Sequence, residues 1–138
     1  MSESLNNLVT DLVDAWNTHD CDRVTAFYSP DYEGVDVSEA AARRGRQGVR
    51  QALERFLRAF PDLYFTKEQA IIQDDQAALY WTARGTHLGT MMNIPATGRK
   101  IAVRGVSLLT LENQMITRGL HVWDVAGLLR AIGLLPEL

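Results

Sequence analysis

Apolar residues recur with two different periods along this chain, and the change of period divides it in two. Leu5, Leu8, Val9, Leu12, Val13 and Trp16 fall on one face of a helix that Ser2 or Ser4 can cap and that runs to about Thr18. Asp20 or Asp22 can cap a short second helix carrying Val24, Phe27 and Tyr28, stopped by Ser29-Pro30-Asp31. A short strand is predicted over Tyr32 to Val37. Val49, Leu53, Phe56, Leu57 and Phe60 then restore the helical spacing until Pro61-Asp62 ends it. From Leu63 onward the pattern becomes strand-like, over Tyr64 to Ile72, Ala77 to His87, Lys100 to Leu111 and Met115 to Trp123. Asp74-Asp75-Gln76 and Glu112-Asn113-Gln114 are short polar turns of the kind that join antiparallel neighbours. Val125 to Ile132 reads as a short terminal helix with Gly133 as its stop. Helices first and strands afterwards predict an α+β fold: a curved antiparallel sheet packed on N-terminal helices, able to enclose a pocket.

One connection breaks the rule of short turns. Gly85-Thr86-His87-Leu88-Gly89 continues through Met91-Met92-Asn93-Ile94-Pro95-Ala96-Thr97-Gly98-Arg99-Lys100 before the next strand begins. Glycines at 85, 89 and 98 allow backbone conformations closed to other residues, and Pro95 stiffens the return, so this segment is predicted to be a shaped binding-site rim carried on the sheet.

Composition narrows the function without naming it. With 138 residues, 46% of them hydrophobic and 22% charged, the chain is expected to form one domain spanning 1–138 with a substantial core. A net charge of -3 offers no basic footprint for nucleic acid, and Arg43, Arg44, Arg46 and Arg50 read as the solvated start of the third helix. The lone Cys21 excludes an internal disulfide, and Met1-Ser2-Glu3-Ser4 lacks the features of a signal peptide, so a reducing cytoplasm is expected. No apolar run approaches the roughly 18 residues that a membrane span requires. Repeats, low-complexity segments, a phosphate-binding Gly-rich loop and a nucleophile elbow are all absent from the sequence.

Five landmarks in order, Trp16-Asn17-Thr18-His19-Asp20, Phe60-Pro61-Asp62, Gly85-Thr86-His87-Leu88-Gly89, Ile94-Pro95-Ala96-Thr97-Gly98-Arg99 and Trp123-Asp124-Val125-Ala126-Gly127-Leu128-Leu129, resemble the SnoaL-like polyketide cyclase family of the nuclear-transport-factor-2-like (NTF2-like) superfamily. The resemblance implies a cone-shaped α+β fold with a deep apolar pocket. It also implies aldol-type ring closure of a polyketide ester with neither metal nor organic cofactor.

In the characterised cyclases the acid/base group is an aspartate on the last strand, three residues before another acidic residue. The later carboxylate matches Asp124, and the catalytic position falls on His121. An imidazole with an ordinary pKa near 6.5 can remove and return a proton at neutral pH, and a buried histidine held by hydrogen bonds fits the position as well. Gly119, on the same strand face, leaves room for a ligand. The cyclases carry a glutamine and a histidine where this chain has Gly105, expected to enlarge the cavity, and Ser107, limited to one short-range contact. His87 is expected to border the pocket or brace the rim, and Asp124 to orient a catalytic group or cap the terminal helix. Trp16 matches a pocket-lining aromatic position, and Phe56, Phe60, Tyr64, Trp81, Met91, Met92 and Trp123 can extend that wall around a flat apolar ligand.

His87, His121 and Asp124 are the residue types of a two-histidine, one-carboxylate metal site. His121 and Asp124, three apart, point to opposite faces of a strand, so no metal is expected. The reading is therefore a cofactor-independent acid/base enzyme acting on a small apolar or aromatic carbonyl compound. Cyclisation of the ester cyclase kind, isomerisation or hydration would fit; a non-catalytic binder of small molecules is the alternative. Leu120 and Val122 make the outward strand face too apolar for water alone, which suggests a homodimer interface.

Overall fold

Six strands and four helices make up the computed structural model, which describes residues 2–137. In chain order they are α1 (Ser2–Asn17), α2 (Cys21–Thr25), β1 (Tyr28–Asp36), β2 (Arg43–Arg44), α3 (Gly45–Ala59), β3 (Tyr64–Gln73), β4 (Gln76–Thr86), β5 (Lys100–Glu112), β6 (Met115–Trp123) and α4 (Val125–Ala131). All six strands join one sheet in the order β2-β1-β6-β5-β4-β3. α1 begins at Ser2, so Ser4 lies inside it, and its cap falls outside the described residues. Asp20 caps α2, its carboxylate accepting from the backbone N–H of Asp22 and Arg23.

The sheet is mixed rather than wholly antiparallel. β1 runs parallel to β6, with Gly34 opposite Gly119 and Asp36 opposite His121, while every other pairing is antiparallel. Such a pairing needs a long crossover, and the chain from β2 to β5 supplies it. β1 is also longer than the sequence predicts, because it already begins at Tyr28. Pro30 has no N–H to give the ladder, and the register slips between Tyr28 and Glu33, so the strand bulges there instead of ending.

Two buried clusters form the core. One gathers Val9, Leu12, Val24, Leu53, Leu79, Leu109 and Ile116 under α1, α2 and α3; the other gathers Phe60, Leu63, Ile101, Val103, Leu128 and Ile132 under α4. Leu57, Phe65 and Trp81 pack against both, which marks the seam between them. Strict alternation along β5 sends Ile101, Val103, Ser107 and Leu109 inward to that seam and Val106 and Leu108 outward.

The sequence landmarks are latches. Asn17 pairs with the backbone of Phe65 in both directions, at 2.9 and 2.7 Å, tying the end of α1 to β3. Asp62 accepts from the backbone N–H and the hydroxyl of Thr86, both at 2.7 Å, and these bonds hold its carboxyl below the usual range. The N–H groups of Leu88 and Gly89 both reach the Ala59 carbonyl. Of the three rim glycines only Gly98 adopts a positive φ, at 72°. Gly89 is required for another reason: a Cβ there would collide with the Arg58 carbonyl. The rim is thus clamped to the end of α3, and its tip is a tight turn in which Met91 and Ile94 pair around Met92 and Asn93.

Candidate functional site

A cavity of about 120 Å³ opens at the seam between the two core clusters. Trp16, Phe60, Trp81, Met91, Ser107, His121 and Trp123 line it, together with Phe56, Leu12, Leu79 and Val103 among other apolar side chains. Its wall comes from α1, α3, α4 and all six strands, so residues more than a hundred positions apart, Leu12 and Leu128 among them, converge on one space.

Six residues named from the sequence as site candidates do not line the cavity. Asp124 is exposed, and its carboxylate accepts from Gly127 N at 2.8 Å, which makes it the cap of α4. His87 is 0% exposed and braces the rim: its Nδ1 accepts from Thr97 N at 3.3 Å and meets the Thr97 hydroxyl at 3.0 Å, while its ring lies against Phe60. Gly105 does not enlarge the cavity, because the Trp81 indole fills the space where its side chain would stand. Gly119 leaves no room for a ligand either, because the Tyr32 phenol fills its space. Tyr64 and Met92 face outward.

Tyr32 explains a pair of glycines. Gly34 and Gly119 are register partners on β1 and β6, and a Cβ on either would overlap the phenol. The slot holds the Tyr32 hydroxyl 3.2 Å from His121 Nε2. On the other side of the imidazole, Ser107 Oγ lies 2.7 Å from Nδ1, and Trp81 Nε1 donates to the same oxygen at 3.0 Å. Indole can only donate, so Ser107 accepts from Trp81. Two arrangements of the remaining protons satisfy the imidazole. In one, Ser107 donates to Nδ1, Nε2–H donates to Tyr32, and the Tyr32 proton is left over; in the other, Tyr32 donates to Nε2, Nδ1–H donates to Ser107, and the Ser107 proton is left over. Among the described residues no further acceptor meets either hydroxyl. Ser107 borders the cavity, so the second arrangement presents its O–H to a ligand. Burial in the apolar wall and the nearby Arg43 charge bring the His121 pKa down to about 4, well below its ordinary value, so the ring is neutral at neutral pH. A Gly119→Ala substitution is expected to displace the phenol and lower stability by about 1–3 kcal/mol. It would be read as a lower urea midpoint with an unchanged slope.

The polar end of the cavity holds two residues that the sequence reading missed. Asp36, 3% exposed, and Arg43, 7% exposed, both line it and pair at 2.9 Å. Arg43 was expected on a solvated helix start; it sits instead on β2, with its guanidinium over the Phe56 ring. Of the neighbouring arginines, Arg46 donates to the Tyr28 carbonyl, and Arg44 and Arg50 pair with Glu33 and Asp22 at the surface. Burial pushes the Asp36 carboxyl up, but bonds from Ser38 and Trp123 and the Arg43 charge outweigh it and leave the pKa below the usual value. The phase of β1 carried a signal for Asp36: residues 32, 34 and 36 share the buried face while Val35 and Val37 point outward. Arg43 carried none, since nothing in Arg43-Arg44 distinguishes the buried residue from the exposed one.

Among the described residues no group of three or more His, Cys, Asp or Glu side chains is placed to hold a metal ion, and no helix is long and apolar enough to cross a membrane. A curved sheet closing over helices around an apolar cavity with one polar end defines an NTF2-like pocket protein. The chain belongs to the SnoaL-like polyketide cyclase family, whose sequence profile matches residues 6–132. Among solved structures it is similar to AclR from Streptomyces galilaeus, a proposed hydroxylase, with 27% identity over 100% of this chain and 89% of that one and a TM-score of 0.86. TsrD from Streptomyces laurentii is similar at 26% identity over 96% and 97% of the two chains, also with a TM-score of 0.86. IdmH from Streptomyces antibioticus, a proposed polyketide cyclase, shares the fold at 22% identity, 93% and 97% coverage and a TM-score of 0.81. No curated protein matches the chain at a significant level.

Proposed function

We propose that this protein is a cofactor-independent acid/base enzyme acting on a small apolar or aromatic carbonyl compound, with His121 as the proton-transfer group. The observation that carries the reading is an imidazole on the wall of an apolar cavity, hydrogen-bonded on both ring nitrogens to hydroxyls that can each donate or accept. A base in that position can break a C–H bond next to a carbonyl. The bonding pair moves onto the carbonyl oxygen as an enolate, and the proton passes to Ser107 Oγ as the Ser107 proton moves onto Nδ1 of the imidazole. The enolate carbon can then attack a second carbonyl, and the imidazolium, a ready acid in this setting, returns its proton to the new alkoxide. Trp16, Trp81 and Trp123 supply flat walls that suit an aromatic ligand.

The test is deuterium exchange at the α-carbon of aryl methyl ketones in D2O, followed by proton NMR. The wild-type chain should accelerate exchange, and His121→Ala should lose about 10²–10⁴ of that acceleration. Full exchange by the variant would sink the assignment. A ketone that binds yet never exchanges would favour the second reading, a binder that retains the pocket without the chemistry.

The outer sheet face supports a homodimer. Val35, Val106, Leu108, Leu120 and Val122 are all exposed there on three adjacent strands, with Val37 exposed just beyond β1, a larger apolar surface than water tolerates easily. Sedimentation should give twice the chain mass at micromolar concentration, and Leu108→Glu should shift it to monomer; a wild-type monomer would count against the interface. The single free Cys21 suits a reducing cytoplasm.

A further inference from the structure

At the polar end of the cavity lies a cluster of charges that takes no part in proton transfer. Arg43 spends Nη2 on Asp36 Oδ2 at 2.9 Å and Glu39 Oε2 at 3.3 Å, and Nε on Glu39 Oε1 at 3.1 Å. Arg55 donates to Glu39 Oε2 at 3.0 Å, so two guanidinium groups face two carboxylates and the cluster is neutral. Asp36 is saturated: Arg43 occupies one oxygen, while Ser38 N, Ser38 Oγ and Trp123 Nε1 occupy the other. Arg43 Nη1 has no hydrogen-bond partner among the described residues. It is not sealed off either, since the one enclosed unpartnered side-chain nitrogen or oxygen among them is His87 Nε2. Nη1 thus keeps accessible surface on a side chain that is 7% exposed and lines the cavity. The Arg43 Cζ lies over the Phe56 ring, 5.4 Å from its centroid, in a cation–π contact that helps hold the guanidinium in place.

We propose that Arg43 Nη1 is the docking donor for the carbonyl oxygen of an uncharged ligand, and that the cavity therefore selects ketones and esters over carboxylic acids with the same ring system. This rests on the acid/base reading above and adds to it the group that holds the oxygen of the substrate. A free arginine would prefer a carboxylate, but here its charge is already matched by Asp36 and Glu39. A ligand carboxylate would leave the cluster with net negative charge inside an apolar wall, with its desolvation uncompensated. A carbonyl costs little to desolvate and gains a charge-assisted hydrogen bond. The same donor would meet the growing charge on that oxygen as the α-proton leaves.

Calorimetric titration with three matched probes tests this: 2-acetylnaphthalene, 2-naphthoate and 2-isopropylnaphthalene. The ketone should bind roughly tenfold or more tighter than either of the others. Arg43→Met should bring ketone and hydrocarbon within about threefold of each other. If that variant does not fold, Arg43→Lys, which keeps a cation for Asp36 while removing the second N–H edge, should erode the same preference. The proposal is overturned if wild type binds hydrocarbon as tightly as ketone, if naphthoate binds tightest, or if none of the three binds. Binding does not depend on turnover, so the two ideas fail separately. Exchange without a ketone preference removes the role of Arg43 and keeps that of His121; a ketone preference without exchange does the reverse.

Discussion

Replacing Asp36 with alanine is expected to destabilise the fold by roughly 3–5 kcal/mol, the cost of leaving a buried charge without its partner. Asp36 receives four donors from three residues, and its loss strands them all: the Ser38 hydroxyl and N–H, the Trp123 indole and one N–H of Arg43. Glu39 still holds Arg43 on its other edge, which limits the damage but does not remove it. Against a total stability of about 5–15 kcal/mol for a domain of this size, such a loss approaches unfolding. Urea denaturation measures it as a lower midpoint, and Asp22→Ala is the control. Asp22 pairs with Arg50 just as closely, but its side chain is 87% exposed, so water and salt already share the work of that bond. The two aspartates differ in burial, not in chemistry, and the midpoint of the second variant should hardly move. Equal effects would mean that the Asp36 pair is solvated in solution.

How much of this was legible in the sequence depends on whether the deciding contact is local. Period-3.6 and period-2 patterns are local, so all four helices and most strand bounds could be read directly. The parallel β1–β6 pairing could not, because it joins residues more than eighty positions apart, and nothing in Tyr32–Val37 says which way its neighbour runs. The same limit governs the site. His121 and Ser107 could be named from their place in a family pattern, and both reach the cavity. Gly105 and Gly119 could be named, but not what fills the space they leave: a missing side chain signals close approach without saying whether a ligand, an indole or a phenol approaches. In this chain the fillers are Trp81 and Tyr32. The resemblance pointed to His121 as the acid/base position, and a carboxylate stands directly beside it on the next strand, as Asp36. With four donors on it, that carboxylate serves as an anchor for Trp123 and Arg43 rather than as a base.

The acid side of the stability curve should carry the signature of His121. In the unfolded chain an imidazole titrates near 6.5, whereas in the folded chain burial and the Arg43 charge bring His121 to about 4. Between those values the unfolded state binds more protons than the folded one, so stability rises with pH across that window. The contribution is complete above about pH 6.5 and is lost as pH falls towards 4, amounting to about 3 kcal/mol at 1.36 kcal/mol per unit. Asp36, whose carboxyl is depressed, adds a loss at still lower pH, as the solution falls through the ordinary carboxylate range towards its lowered value. Urea midpoints measured from pH 7 to pH 4 should therefore fall steeply for wild type and much less for His121→Gln; parallel curves would mean that the imidazole is solvated. The same pKa sets the rate. Because the ring is neutral down to about pH 5, α-proton exchange should stay level from neutrality to that point and fall below it with a midpoint near 4. A midpoint near 6.5 would place the working imidazole in water, outside the apolar wall that gives it its low pKa.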